Sequence, residues 1–351
     1  MHRRVLLGSF AAAILPFAVR GAAPTASAAA RDVLDTPAGK SVLAQRGLLT
    51  GLARAGKRVV AVGQRGHVLY SDDAGQRWQQ ADVPVSSDLV AVHFPDAENG
   101  WAVGHDGVIL GSTDGGRTWA RRLDGRGLGE VLVAHYTKLA DAKWLDEAKK
   151  FAQQGAENPF LDVWFQDART GYVVGAFGLV LHTADGGKTW EPMLHATDNP
   201  KGLHIYSVRG IGGDIYLAGE QGLLLKLGRD TGRFVAQSTP YQGTLFGLVG
   251  NDQAVLAHGL RGNIVRTTDG GRNWHSVPTG LTVGLTASTV DERGRIVIVS
   301  QAGHVLASAD AGATFKPVKI ERPVPAAAVV TIGSGSLVIA GPRGVQSLPL
   351  A

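Results

Sequence analysis

The sequence contains no cysteine among its 351 residues. Without cysteine, neither a disulfide framework nor a thiolate metal site can form. Eleven histidines are present, but they are scattered along the chain. No His-x-x-x-His pair and no histidine paired with a carboxylate at metal-ligand spacing occurs. The sequence therefore predicts neither a bound metal nor a cofactor.

The excess of one sign of charge over the other is also small. The formal net charge is +5 at pH 7, from 35 basic and 30 acidic residues. Three of the arginines and none of the acids lie in residues 1–30, so the remainder carries 35 − 3 = 32 basic against 30 acidic residues, a charge of +2. Such a balance gives little attraction for polyanions. We therefore expect no nucleic acid as a partner.

Long apolar runs are confined to the first residues of the sequence. A basic start at residues 2–4 precedes an apolar stretch over residues 5–19, and the small residues Ala26-Ser27-Ala28 follow. This order is typical of an export signal peptide, with cleavage near Ala28–Ala30. No later run is long enough to span a bilayer. We expect residues 1–30 to be the signal and residues 31–351 to form one periplasmic domain, peripheral to a membrane at most.

The most informative feature that is present is a repeated motif, Ser/Thr-x-Asp-x-Gly-x-Thr-Trp, called the Asp box below. A Gly-x-x-Gly-like turn precedes each copy by a constant distance and recurs once more at 341–344. Each unit of about 40 residues reads as four short strands joined by turns, which is the size of a β-propeller blade. The complete copies begin at Ser71, Ser112, Thr183, Thr267 and Ser308, and a degenerate copy begins at Leu227.

These repeats predict an all-β, seven-bladed propeller with four-stranded blades. The seventh unit supplies only three strands of its own. We expect residues 32–45 to form the outer strand of that blade and so to close the ring.

With the motifs placed, residues 101–119 and 171–190 carry a resemblance. The W/Y-x-V-G-x-x-G segment followed by an Asp box resembles the photosystem II stability/assembly factor family and its relatives in non-photosynthetic bacteria, within the wider group of Asp-box (BNR) propellers. The resemblance covers roughly residues 45–347. It implies a seven-bladed propeller that acts as a non-enzymatic assembly scaffold, and in that family an arginine-rich patch binds the partner.

The two faces of a propeller carry different turns. If the strands are lettered a to d outward from the axis, Asp boxes are c–d turns and the Gly-x-x-Gly turns are b–c turns on the opposite face. A catalytic group is not needed in five copies, so we interpret the Asp-box aspartates as structural: Asp73, Asp114, Asp185, Asp269 and Asp310. For partner binding the sequence offers instead the b–c turn residues Arg65, His105, Arg261 and Arg343.

An insertion at residues 124–158 interrupts the repeat between blades 2 and 3. Residues 136–151 are rich in Ala, Leu and Lys and lack Gly and Pro, which predicts a helix. Trp144 and Phe151 share one of its faces. That face either packs on the rim of the propeller, covers the axial opening, or docks another protein.

Three functions remain open. We favour a monomeric scaffold that binds a membrane protein complex or its subunits, possible partners including an envelope transporter. A sialidase-type glycoside hydrolase is the second hypothesis, but the predicted inner strands offer only Asp162 as a carboxylate and no arginine. We therefore do not expect an enzyme. A carbohydrate-binding propeller is the third, with Trp101, Trp164, Tyr172 and Tyr206 as candidate contacts.

Overall fold

The computed structural model of the protein describes residues 32–333 and 335–350. The predicted signal peptide, residues 1–30, lies outside this range. Neither helix within the described range is long and apolar enough to cross a bilayer.

The described chain forms seven antiparallel sheets, six of four strands and one of three. Blade 1 contains β1 (Leu49–Ala55), β2 (Arg58–Gly63), β3 (Val68–Ser71) and β4 (Gln79–Gln80). Blade 2 contains β5 (Leu89–His93), β6 (Gly100–Gly104), β7 (Ile109–Ser112) and β8 (Ala120–Leu123). Blade 3 contains β9 (Phe160–Phe165), β10 (Gly171–Gly175), β11 (Val180–Thr183) and β12 (Glu191–Pro192).

Blade 4 contains β13 (Ile205–Ile211), β14 (Asp214–Gly219), β15 (Leu224–Leu227) and β16 (Phe234–Ala236). Blade 5 contains β17 (Leu245–Asn251), β18 (Ala254–Gly259), β19 (Ile264–Thr267) and β20 (His275–Val277). Blade 6 contains β21 (Leu285–Val290), β22 (Ile296–Ser300), β23 (Val305–Ser308) and β24 (Lys316–Val318), and blade 7 contains β25 (Ala328–Ile332), β26 (Ser336–Gly341) and β27 (Gly344–Pro349).

The sequence pattern of each strand follows its depth in the blade. Second strands such as β2 and β6 are buried along their whole length because neighbouring blades cover both of their faces. The first strand β1 alternates between buried and half-buried residues. The outer strands are two to four residues long and mostly exposed, for example β8. The core therefore lies between the blades.

Blade 7 packs against blade 1 in the way that other neighbouring blades pack. Lys226 Nζ donates to the carbonyl O of Gly270 at 2.7 Å between blades 4 and 5, and Arg266 Nε donates to that of Ala311 at 2.8 Å between blades 5 and 6. At the corresponding place, Ser347 Oγ lies 3.3 Å from the carbonyl O of Ala74. The same third-strand position thus reaches the next Asp box at all three junctions.

The prediction that residues 32–45 form the outer strand of blade 7 is wrong. This segment contains two short 3-10 turns, Val33–Asp35 and Ala44–Arg46, and no strand. It runs along blade 1 instead: Ala38 N donates to Val83 O at 3.1 Å, and Ser86 N donates to Val33 O at 2.8 Å. The Asp32 carboxylate accepts from the Leu34 amide and so favours a turn at the start of the segment. Blade 7 consequently has three strands within the described residues.

The insertion between β8 and β9 forms two helices rather than one, α1 (Gly125–Leu139) and α2 (Ala142–Gln154). The chain turns at Ala140, which has a φ of 56°. The Asp141 carboxylate then caps α2 by accepting from the Trp144 amide at 3.2 Å. At Gly129 of α1 a Cβ atom would lie 2.6 Å from Ala152 Cα, so this glycine lets the helices approach closely.

The helices pack on the rim of the propeller. Leu128, Leu132 and Tyr136 of α1 are buried in one cluster with Phe160 of blade 3. Ala148 and Phe151 of α2 are also buried in that cluster. Ala148 and Phe151 of the predicted apolar face therefore belong to the core, whereas Trp144 on the same face is half-buried.

Candidate functional site

Every complete Asp box forms the same network of hydrogen bonds. The first Ser or Thr hydroxyl donates to the Asp Oδ1 at 2.7–2.9 Å. The same hydroxyl accepts from the following glycine amide at 2.8–3.1 Å. The Asp carboxylate also accepts from backbone amides further along the turn, as Asp114 does from Thr118 N at 3.0 Å. These side chains are thus engaged in holding their own turns.

These hydrogen bonds lower the pKa of the Asp-box carboxyls. The Thr189 hydroxyl and amide hold the pKa of Asp185 at about 2, and the Arg77 side chain and amide hold that of Asp73 at about 2. A carboxyl with a lowered pKa in the folded state stabilises the fold above its ordinary pKa, and this stabilisation is lost as the pH falls toward the lowered value. The Asp boxes should therefore contribute to acid unfolding between about pH 4 and pH 2.

Removal of one Asp box should have a moderate, measurable effect. We expect Asp114→Ala to lower the free energy of unfolding by about 1–2 kcal/mol at pH 7, because several backbone amides and the Thr118 hydroxyl lose their acceptor. Urea denaturation at pH 7 and pH 2.5 measures this, and the difference from the parent protein should shrink at the lower pH. The matched control is Asp252→Ala, at an exposed residue of a turn on the same face. Equal losses for the two variants would contradict the structural role.

The b–c turns on the opposite face each present at least one side chain to solvent. Five of their central residues, Arg65, Asp106, Phe177, Gln221 and Arg261, have φ between 52° and 57°. In this left-handed region the side chain projects away from the turn, and residues other than glycine adopt it at some conformational cost. The costs are offset by fixed backbone contacts: the amide of Arg65, for example, donates to Asp88 Oδ1 at 2.7 Å.

The predicted arginines lie on this face as expected from the repeat. Arg65, Arg261 and Arg343 are exposed, and His105 is exposed on the turn of blade 2. None of the three guanidinium groups forms an ion pair with any residue that the structure describes. Arg343 and Arg65 lie on neighbouring blades, because blade 7 packs against blade 1. Within the described ranges, no acidic side chain therefore forms an ion pair with these guanidinium groups.

Sequence reasoning missed an apolar element beside these arginines. Val42 and Leu43 are 92% and 62% exposed, and they lead into the turn Ala44–Arg46. A Cβ on Gly344 would lie 2.7 Å from Arg46 Cα, so this turn adjoins the b–c turn of blade 7. Arg46 is itself exposed. The sequence signal for this patch is the apolar pair Val42-Leu43, which lies in the segment predicted to be the outer strand of blade 7.

A groove of about 280 Å³ separates α2 from the b–c turn of blade 3. Phe177 on the turn is 52% exposed, whereas Phe151 of α2 is only 8% exposed and serves mainly the core. Trp144 is half-buried at the groove edge. Lys143 and Lys201 also line the groove. Of the two predicted aromatic residues, Trp144 is therefore the one more available to a partner.

The axis of the ring contains a cavity of about 470 Å³ lined by inner strands of all seven blades. In blades 1–6 a β-bulge at the second residue of the inner strand turns one side chain toward the axis. These bulge residues are Thr50, Val90, Leu161, Tyr206, Phe246 and Thr286, and all of them line the cavity.

The prediction that the inner strands carry no arginine is wrong. Strand β13 continues to Ile211, so that Arg209 lines the axial cavity. Its Nη1 donates to Asp162 Oδ2 at 2.5 Å, and Asp162 also accepts from Val208 N at 2.9 Å. Burial raises the pKa of the Asp162 carboxyl, and the Arg209 guanidinium opposes that rise. Arg54 also lies on an inner strand, with Nη1 3.4 Å from Glu292.

One half-buried histidine, His93, and one fully buried histidine, His258, lie near this pair. Burial, with a smaller contribution from Arg209, lowers the pKa of His93 to about 3. Burial likewise lowers the pKa of His258 to about 4, and its Nε2 lies 2.8 Å from Ser288 Oγ. Both imidazoles are therefore neutral at pH 7. No cluster of three or more potential metal ligands occurs in the described part of the chain.

The cavity offers little for glycoside hydrolysis. That chemistry needs two carboxyl groups flanking the scissile bond. Asp162 is the single carboxylate among the described residues that line the cavity, and Arg209 and Val208 already bind it. The aromatic candidates for sugar binding are mostly internal. Trp101 stacks on Phe165 at 3.5 Å, Tyr172 is buried and Trp164 is half-buried, whereas Tyr206 faces the axis.

Comparison with known proteins agrees with this geometry. The model of the family described as "Photosynthesis system II assembly factor YCF48" matches residues 71–131 and 142–319, which is more than half of the chain. The protein belongs to that family. Among its relatives is the "Photosystem II assembly lipoprotein Ycf48" of Synechococcus sp. (strain CC9902), 28% identical over 195 residues, which are 54% of this chain and 56% of the relative. The chain thus matches about half the length of this relative.

Solved structures support the propeller fold. The WD40 β-propeller domain of Doa1 has a TM-score of 0.62 at 11% identity and covers 89% of this chain and 95% of that one. A structure described as "YCF48 bound to D1 peptide" has a TM-score of 0.64 at 15% identity and covers 88% of this chain and 94% of that one. The GH74 enzyme of Niastella koreensis has a TM-score of 0.61 at 16% identity and covers 86% of this chain and 52% of that one. At these identities the likeness shows the fold alone. Function must be argued from the family and from the side chains.

Proposed function

We propose that this protein is an exported, monomeric and non-enzymatic scaffold of the periplasm, released by cleavage near Ala28–Ala30. It binds a membrane protein complex or its subunits, an envelope transporter among the candidates, through the face that carries the b–c turns. Membership in an assembly-factor family and the relative that binds the D1 peptide support a scaffold.

One observation carries the choice of face. Arg65 and Arg343 are exposed on adjacent blades and have no ion-pair partner among the described residues. Arginine binds carboxylates through two parallel hydrogen bonds, so such a pair suits an acidic segment of a partner. Val42 and Leu43 beside them add apolar contact area, which is a common feature of binding surfaces. On the Asp-box face, by contrast, the side chains that recur in each repeat hold their own turns.

The test is recovery of membrane proteins from a detergent-solubilised envelope by the tagged protein. We expect the double variant Arg65→Glu, Arg343→Glu to recover a specific membrane protein at least about tenfold less than the parent, because like charges would then face each other. Recovery by the parent should also decrease as salt is added. A second variant, Phe177→Ser, examines the groove beside α2 without touching the core.

The matched control is Arg272→Glu, which reverses an exposed arginine on an Asp-box turn. It should recover the partner as well as the parent does. Equal recovery by all variants would place binding elsewhere. Turnover of fluorogenic glycosides that disappears in Asp162→Asn would contradict the non-enzymatic role.

A further inference from the structure

The axial cavity holds a cation whose hydrogen-bonding capacity is only partly used. Both side-chain hydrogen bonds of Arg209 come from Nη1, to Asp162 Oδ2 at 2.5 Å and to Val208 O at 2.6 Å. The opposite edge, Nε with Nη2, bonds to no residue in the ranges that the structure describes, and the side chain is 36% exposed. That edge presents two parallel N–H groups, which is the arrangement that binds a carboxylate.

The position of Arg209 is imposed by a buried group. The Asp162 side chain is only 7% exposed, and it is fixed in turn by the Val208 amide at 2.9 Å. Because a buried carboxylate requires a close cation, it holds Nη1 against the wall of the ring. The Nε–Nη2 edge is the side of the guanidinium opposite Nη1, on a residue that lines the cavity. Asp162 acts here as a positioning residue.

The rest of the cavity is largely uncharged. The neighbouring His93 is half-buried and His258 is fully buried, and their lowered pKa values leave both neutral at pH 7. Leu52, Val92 and Val329 supply an apolar wall. The rings of Tyr206 and Phe246, both bulge residues, contact each other at 5.6 Å between centroids. A volume of about 470 Å³ lies within the range of small-molecule sites.

From this arrangement we propose that the axial cavity binds an organic carboxylate with an apolar or aromatic body. The carboxylate pairs with Nε and Nη2 of Arg209, and the body contacts Tyr206, Phe246 and the apolar wall. The carboxylate belongs either to a free small acid or to a segment of a partner protein. The site lies inside the ring and goes beyond the proposed docking face. Only the second source rests on the proposed scaffold function.

Two probes distinguish the sources. The first is 3-phenylpropanoate, with 3-phenylpropanamide as its uncharged analogue. The second is the peptide acetyl-Gly-Gly-Phe with a free terminal carboxylate, with its C-terminal amide as the analogue. We expect saturable binding of a carboxylate probe by calorimetry or ligand-observed NMR, and at least about tenfold weaker binding of the matching amide.

Three variants locate the site. Arg209→Lys keeps the charge but loses the two-donor edge, so it should weaken binding about tenfold. The double variant Asp162→Asn, Arg209→Gln removes both charges without leaving a buried ion, and should abolish binding while remaining folded by near-UV circular dichroism. The control Arg54→Gln changes the other inner-strand arginine and should bind like the parent.

Tighter binding of the free acid assigns the cavity to small molecules, and tighter binding of the peptide assigns it to a partner segment. Both outcomes support the proposal. Binding of neither probe, or binding that survives in the double variant, overturns it. The double variant leaves Arg65 and Arg343 intact, so envelope recovery reports separately on the proposed function.

Discussion

Replacement of Arg209 by methionine should lower the free energy of unfolding by about 3–5 kcal/mol at pH 7. The change removes the guanidinium that donates to Asp162 Oδ2. The buried carboxylate keeps its hydrogen bond from the Val208 amide but loses its cation. An ionised carboxylate without its cation is far less stable inside a protein than in water. The loss should therefore be much larger than for the ion pair of Arg54 with Glu292, because the Glu292 side chain is 58% exposed and keeps its hydration. For Arg54→Met we expect a loss of at most about 1 kcal/mol.

The pH dependence of this loss has a definite sign. Burial raises the pKa of Asp162 in the folded protein, and removal of Arg209 raises it further. The folded state then holds a proton that the unfolded chain releases above its ordinary pKa of about 4, so stability falls as the pH rises through that value. Urea denaturation should show Arg209→Met closer to the parent at pH 4.5 than at pH 7.

The matched variant for this prediction is Asp162→Asn together with Arg209→Met. It removes the buried charge and should recover part of the stability at pH 7 while losing the pH dependence. A loss in Arg209→Met that is equal at both pH values would contradict the buried-carboxylate account, as would a loss no larger than that of Arg54→Met.

Truncation of Leu132 in the helical insertion should also be severe. Leu132 is fully buried with Leu128 and Phe160, where α1 packs on blade 3. We expect Leu132→Ala to lower the free energy of unfolding by about 2–5 kcal/mol through lost burial and the cavity left behind. Leu139→Ala, at an exposed residue of the same helix, is the control and should change stability by less than about 0.5 kcal/mol.

The same experiment tells whether the insertion is part of the propeller. We expect one cooperative transition, with helical circular dichroism and tryptophan fluorescence changing together and moving together in Leu132→Ala. An early transition seen only in the helical signal would show that the helices unfold by themselves. The insertion would then be a separate element that rests on the rim.

The blade count and the two faces were predictable because their determinants are local. An Asp box is held by side chains and amides within about one turn, so its residues alone specify its conformation. The constant distance from each Gly-x-x-Gly turn then sets the strand order. For this reason Arg65, Arg261 and Arg343 could be placed on one face from the sequence.

Other features depend on partners distant in sequence. The segment before blade 1 bonds to Val83 and Ser86, which are more than 40 residues away, and its own residues gave no reason to prefer blade 1 over blade 7. The break between α1 and α2 falls at Ala140 although alanine is the strongest helix former. The cap at Asp141 is a local signal for the start of α2, but the close packing of Gly129 on Ala152 exists only in the folded chain.

The sequence by itself determined a repeated four-stranded unit, its number, and the side of the ring on which each turn lies, since these follow from short-range turn chemistry and strand alternation. Only the tertiary structure decided the course of residues 32–47, the burial of the helical insertion, and the meeting of Asp162 with Arg209 at the axis. The reason is physical: these three depend on burial and pairing between blades, which exist only once the ring has assembled.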